Sequence, residues 1–203
     1  MYGLQRLGRA VLDAVAPARC AACGDSGRVL CEACVAAIEA TPPPLIAGAR
    51  AAFVYGDEVR AVVHRGKFGD CRAALRVLSW LGAARLEPAA GAVVAPVPLA
   101  RRRGVERGYN QAEVVARAMA DFHRLQMHPL LTRTRDTQAQ SRLDRAGRIA
   151  NVAGAFAAAG AAGATVWLID DVLTTGATTT AARDALLAAG ARRVEVAVLA
   201  AVL

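Results

Sequence analysis

The chain has 203 residues, which suits one α/β domain with a small attached module, and its 55% hydrophobic content is ample for a core. Much of that content is alanine and only 4% of the residues are aromatic, which excludes a core organised on large anchors and predicts one built of Ala, Val and Leu. The net charge of +8 fits polyanionic ligands, nucleic acid among them, although charge bears on association and solubility more than on fold.

The first twenty residues carry Arg6 and Arg9 ahead of an apolar run at 10–16, an outline shared with a signal peptide or, given Cys20, a lipoprotein site. Asp13 interrupts the run, and Arg19 stands where a small residue should precede the cysteine. The stretch therefore reads as an amphipathic helix docking on the domain, and the chain as cytoplasmic. The longest weakly polar run, 152–169, is punctuated by Gly154, Gly160 and Gly163, and its alanines supply little transfer energy, so no membrane span is expected.

Cys20, Cys23, Cys31 and Cys34 form two C-x2-C pairs separated by seven residues. Four thiolates on two tight knuckles complete a tetrahedron around Zn2+, and the short gap implies a compact hairpin in which Gly24 and Gly27 supply the turns. The alternative, two disulfides, needs an oxidising compartment that nothing else in the chain supports. Cys71, alone on an expected helix, reads as a small apolar filler. Thr41 and the three prolines after it form a stiff extended linker, which divides the chain into a module at 1–48 and a main domain at 49–203.

In the main domain, 51–55 is an expected strand, 56–57 a turn and 59–64 a helix ending near Gly66, with His64 at the surface. Lys67 then either reaches a phosphate or is a solvated cation. Residues 92–97 form a buried strand whose Pro96 and Pro98 impose a fixed bend at its carboxyl end. The loop after it, R-R-R-G-V-E-R-G-Y-N-Q, holds Arg101, Arg102, Arg103 and Arg107. If this strand neighbours the one ending near Asp170, those arginines face the same crevice and clamp a pyrophosphate; otherwise they form a solvated basic turn. A helix is expected over 112–123. The polar stretch 130–148 reads either as a lid whose Arg133, Arg135, Arg142, Arg145 and Arg148 close over phosphates, or as a basic patch for nucleic acid, ahead of a strand near 152–156.

The chain is organised around residues 166–178, V-W-L-I-D-D-V-L-T-T-G-A-T. Its apolar start predicts a strand buried on both faces. Asp170 and Asp171 at the end of that strand need polar partners, because ionised carboxylates taken out of water must find donors or cations. Thr174, Thr175, Gly176, Ala177 and Thr178 then form a tight loop ahead of a helix at 179–189, and such a helix amino end draws anions through its convergent N–H groups and dipole. A ribose 5-phosphate can lie across acids and loop together. Plain helix capping accounts for one threonine and leaves the two acids unexplained. A last strand is expected at 193–198.

This stretch resembles the phosphoribosyl pyrophosphate (PRPP) motif of the type I phosphoribosyltransferases, with Trp167 standing where a smaller aliphatic residue is usual. Over nearly the whole chain the sequence is similar to the ComF family of bacterial competence and DNA uptake. The likeness rests on the cysteine module, Y-G-D-E-V-R with K-F-G-D, P-V-P-L before R-G-Y-N-Q, T-Q-A-Q-S-R-L with R-I-A-N-V-A-G-A-F, and D-D-V-L-T-T-G-A-T-T. Many members carry further cysteines after the first pairs, which 41–55 lacks.

The resemblance implies a type I phosphoribosyltransferase fold, a parallel sheet flanked by helices under a smaller hood, with a zinc module at the amino end. It implies a glycosyltransferase reaction in which pyrophosphate is displaced from PRPP with Mg2+, serving DNA uptake or nucleotide salvage. Asp170 and Asp171 would hold the ribose hydroxyls and stabilise developing positive charge, residues 174–178 the 5-phosphate, and the arginine loop the leaving pyrophosphate. The competing reading is a non-catalytic PRPP-binding scaffold that contacts single-stranded DNA or DNA-processing proteins.

Overall fold

The computed structural model describes residues 18–46, 48–68, 71–100, 104–106, 108–135 and 154–203, the side chains of Lys67 and Phe68 excepted. After the cysteine knuckles come helix α1 (Glu32–Glu39), strands β1 (Leu45–Ile46) and β2 (Ala49–Val54), and helices α2 (Asp57–Phe68) and α3 (Arg72–Ala83). Strand β3 (Val93–Pro96) leads to helix α4 (Gln111–His123) and to the short strands β4 (Leu131–Arg133) and β5 (Phe156–Ala158). Strand β6 (Thr165–Leu173), helix α5 (Ala177–Ala188) and strand β7 (Arg193–Ala201) complete the chain.

Five strands form one sheet in the order β1-β2-β7-β6-β3, in which only the edge strand β1 runs antiparallel to its neighbour. This is the expected α/β architecture of a mostly parallel sheet flanked by helices. Side chains alternate across the central strands with a period of two. Trp167 and Ile169 of β6 join Phe53 and Leu199 in a core shared with Val62 of α2, Leu75 of α3 and Met119 of α4. Val166 and Leu168 point the other way, into a core with Val196, Val198, Leu186 of α5 and Phe156 of β5. Both faces of the sheet are therefore covered, which is why its strands read as continuous apolar runs.

Alanine-rich strands let helices come close. A Cβ on Gly82 of α3 would lie 2.9 Å from Leu199 Cδ1, 3.1 Å from Ala52 Cβ and 3.2 Å from Phe53 Cε2, so α3 rests on the sheet at a spot where any larger residue would make its neighbours shift. Trp167 is the largest fully buried side chain. His123 meets its ring edge-on at 5.5 Å, a favourable aromatic geometry, and Trp167 Nε1 has no hydrogen-bond partner among the described residues.

Two expectations change. The strand foreseen near 152–156 is β5, at Phe156–Ala158, and it pairs antiparallel with β4 in a separate two-stranded sheet. The polar stretch 130–148 begins as strand β4, where Leu131 is buried and the Arg133 guanidinium packs 5.2 Å from the Phe156 ring centroid, and the rest of the expected lid, from 136 on, lies outside the described residues. Polarity misled here because a three-residue strand bound to a distant partner leaves little local periodicity. Arg142, Arg145 and Arg148 lie outside the described residues.

Candidate ligand crevice and cysteine cluster

Strand β6 runs past the acids on which it was expected to end. β3 stops at Pro96, paired with Ile169, and Val97 N–H closes the pairing by donating to Ile169 O at 2.9 Å. β7 accompanies β6 further, to Leu173 opposite Ala201. Residues 170–173 thus have a strand on one side and, among the described residues, the end of β3 on the other. Open α/β sheets receive ligands at such strand ends. Asp170 and Asp171 are half-buried, and each accepts from the next backbone N–H: Asp171 N to Asp170 Oδ1 at 2.9 Å, and Val172 N to Asp171 Oδ1 at 2.8 Å. One oxygen of each carboxylate is thereby fixed against the strand.

The loop after β6 turns at Gly176, whose φ of +77° places it in the left-handed region that side chains resist. Gly176 is also the N-cap of α5, and a glycine has no side chain with which to cap that helix. Thr179 Oγ1 instead donates back to Gly176 O at 3.0 Å. With glycine at the cap, the amino end of α5 has the anion-attracting character of a helix start. Asp170, Thr174, Thr175, Gly176, Ala177 and Thr178 line one small cleft. Asp171, one residue along the pleat, does not line it.

Arg101, Arg102, Arg103 and Arg107 lie outside the described residues, as does the Lys67 side chain. The pairing of β3 with β6, on which their joint use depends, is present. Asn110 anchors the end of the arginine loop: its Nδ2 donates to Val97 O at 2.9 Å, while its Oδ1 accepts from Ala112 N at 3.2 Å and caps α4. Tyr109 Oη donates to Gly66 O, and the Arg72 guanidinium lies 4.0 Å above the Tyr109 ring. The carboxyl end of α2, which carries Lys67, is thus tied to the arginine loop. Sequence reading missed this tie; its one signal was the tyrosine in R-G-Y-N-Q.

The four cysteine sulfurs lie within 4.8 Å of one another, all four thiols are free, and Cys23 Sγ is 3.7 Å from Cys31 Sγ. A tetrahedron with arms of about 2.3 Å has edges of roughly 3.8 Å, so this spacing suits four ligands of one ion and not two disulfides. The knuckles form the compact hairpin expected, with Arg19 bridging Ser26 and Gly27 N donating to Ala18 O at 2.7 Å. Cys31 stands at the N-cap of α1 and Cys34 in its first turn, where the helix favours anionic sulfur. Burial pushes the Cys20 thiol up, but hydrogen bonds from the backbone of Cys31, Cys23 and Ala22 outweigh it and hold the group down at about 6. Cys34 is pushed far up, first by burial and then by the neighbouring thiols. One thiolate beside suppressed neighbours is what crowded sulfurs show until a cation neutralises them.

The cluster is packed against the main sheet's helices: Cys20, Leu30, Cys34 and Ile38 share the core of Val59 and Val63 from α2. Arg65 Nη1 donates to Cys20 O at 2.9 Å. The proline stretch is docked as well, Thr41 O accepting from Arg85 and Pro44 O from Ala51 N at 3.1 Å. Cys71 is half-buried just before α3, and His64 is exposed on α2. No helix among the described residues is long and apolar enough to cross a membrane.

No family model matches the chain, and no curated protein matches it. Among solved structures the chain is similar to the glutamine phosphoribosylpyrophosphate (PRPP) amidotransferase from B. subtilis complexed with ADP and GMP, with 21% identity and a TM-score of 0.44. The match covers 63% of this chain and 26% of that one, so the chain spans about a quarter of that protein's length.

Proposed function

We propose that the crevice at the end of β6 binds PRPP with Mg2+ and that the chain is a phosphoribosyltransferase-like protein of the ComF type, working in the cytoplasm in DNA uptake or nucleotide salvage. The observation that carries this reading is the single cleft lined by Asp170 together with the Thr174–Thr178 loop at the glycine-capped start of α5. A sugar phosphate needs both parts at once: acceptors for its hydroxyls, and convergent donors for its phosphate. Asp170 and Asp171 accept from the ribose hydroxyls, and backbone N–H groups of 175–178 with the threonine hydroxyls receive the 5-phosphate.

Arg101, Arg102, Arg103 and Arg107, with Lys67, take the pyrophosphate, in keeping with the Tyr109 tie between α2 and that loop. Asp170 and Asp171 would hold Mg2+, a hard cation that carboxylates suit, and the ion would supply neutralising charge to the leaving pyrophosphate. As pyrophosphate leaves, the same carboxylates stabilise positive charge developing on the ribose. The Cys20, Cys23, Cys31 and Cys34 cluster holds a structural Zn2+, four sulfurs leaving no open position for chemistry.

The test is pyrophosphate release from PRPP and Mg2+ across a panel of nucleobases. Release with one base establishes a transferase. PRPP binding without release by any base assigns the crevice to a scaffold acting on single-stranded DNA or DNA-processing proteins, and absence of PRPP binding overturns the proposal.

A further inference from the structure

We propose that the groove between α3 and α4 is a second ligand site, one that takes a nucleoside phosphate. Its volume is about 400 Å3 and it shares no lining residue with the Asp170 cleft, so the inference stands apart from the PRPP reading. That volume falls in the range of small-molecule pockets, roughly 300 to 1,000 Å3.

Three features select the ligand. Arg72, Arg76 and Arg117 bring three guanidinium groups to the groove. Arg72 is held in place over Tyr109 and donates to Gly108 O at 3.3 Å, whereas Arg76 and Arg117 make no ion pair or hydrogen bond with any described residue. Guanidinium forks left unpaired in a concavity match phosphate geometry. At the far end Trp80 stands 43% exposed, beside the similarly exposed Phe122 at 5.7 Å. Large aromatics left in water beside cations form a platform for a planar ring.

Glu113 and Asp121 supply the third feature, since they line the same groove and pair with no cation among the described residues. They repel a bare polyanion, but they accept hydrogen bonds from ribose hydroxyls or an exocyclic amino group. A ligand that combines an anion, donors and a flat ring satisfies all three sets. From Asn110 to Asp121 the groove follows α4 for about 16 Å at 1.5 Å per residue, long enough for phosphate and base to reach opposite ends.

The experiment is a titration of the full chain with AMP, followed by tryptophan fluorescence and calorimetry, alongside the same titration with inorganic phosphate. Trp167 is fully buried, so a change on binding reports Trp80, and Trp80→Phe should abolish the fluorescence change. Saturable AMP binding is expected in the Asp170→Asn/Asp171→Asn background, where the ribose-phosphate crevice is disabled, and it should be at least tenfold weaker when Arg76→Ala/Arg117→Ala is added. Equal binding by phosphate alone, undiminished binding on adding the arginine substitutions, or no saturation at millimolar AMP in that background would each overturn the assignment. A shift in oligomeric state caused by the arginine variant without AMP binding would show the groove to be an interface between copies, and would overturn it too.

Discussion

The threonine loop and the cysteine cluster are both built from tight turns beside a helix start, yet they are held in opposite ways. The loop hangs on a strand that β7 accompanies to its last residue and on a helix packed into a sheet core through Ala182 and Leu186. Its shape is fixed by its surroundings before any ligand arrives. The cluster draws on a few apolar residues, Cys20, Ala21, Leu30, Cys34 and Ile38, and on short backbone bonds. Fewer than thirty residues around two knuckles cannot bury enough surface to hold four like-charged ligands together, so an ion bound there would supply the difference. A preorganised loop and a metal-dependent knuckle should therefore fail differently.

The largest effect is expected from metal loss. Cys34→Ser, or chelation, should release about one zinc per chain and expose the knuckles to protease while the sheet survives, because structural zinc contributes on the order of 10 kcal/mol to such modules. Metal analysis with mapping of the cleavage sites checks this, and knuckles that resist protease without metal would erase the contrast. In the stripped protein pH acts through Cys20. Its folded value of about 6 lies below its ordinary 9.0, so the stability it adds is complete above pH 9 and lost as pH falls through 6. Proteolysis of the metal-free module should quicken on acidification over that window.

Next in size is the loop. Gly176→Val places a β-branched residue at φ +77°, a strain of roughly 1 to 3 kcal/mol, and should weaken PRPP binding more than tenfold. Space is not the obstacle, since a Cβ there would come no nearer than 3.9 Å to Leu173 Cδ1. A folded variant with unchanged PRPP affinity in calorimetry would mark the loop as a mere crossover.

Smaller is the effect expected of the acids on stability. Asp170→Asn/Asp171→Asn removes two adjacent like charges, so thermal melts should show an equal or higher melting temperature together with loss of PRPP and Mg2+ binding. A marked fall in melting temperature with PRPP stabilisation retained would mean that the carboxylates hold the fold. The smallest effect is expected at the seam between the two regions. Arg65→Ala removes one hydrogen bond to Cys20 O, worth about 1 kcal/mol, and should speed metal release to a chelator without altering PRPP affinity.

Several elements were readable in advance because their signals are local. The apolar run into Asp170, the glycine of the loop, the two C-x2-C pairs and the spacing of α4 each state a geometry within a dozen residues. The length of β6 was misjudged for the converse reason. Its last four residues are polar or mixed, and they are strand because β7 lies alongside them, which no window around Asp170 contains.

By itself, then, the sequence determined that a strand, two acids and a left-handed glycine precede a helix, and that four thiols can meet at one point, since both are consequences of short spacing. Only the tertiary structure decided that β3 lies against β6, that Leu131–Arg133 pairs with Phe156–Ala158, that Tyr109 reaches Gly66 and that α3 and α4 leave a groove between them. Those contacts join residues about 25 to 75 positions apart. Which distant partner a strand or side chain meets depends on the closure of the whole core, and no local pattern of residues records it.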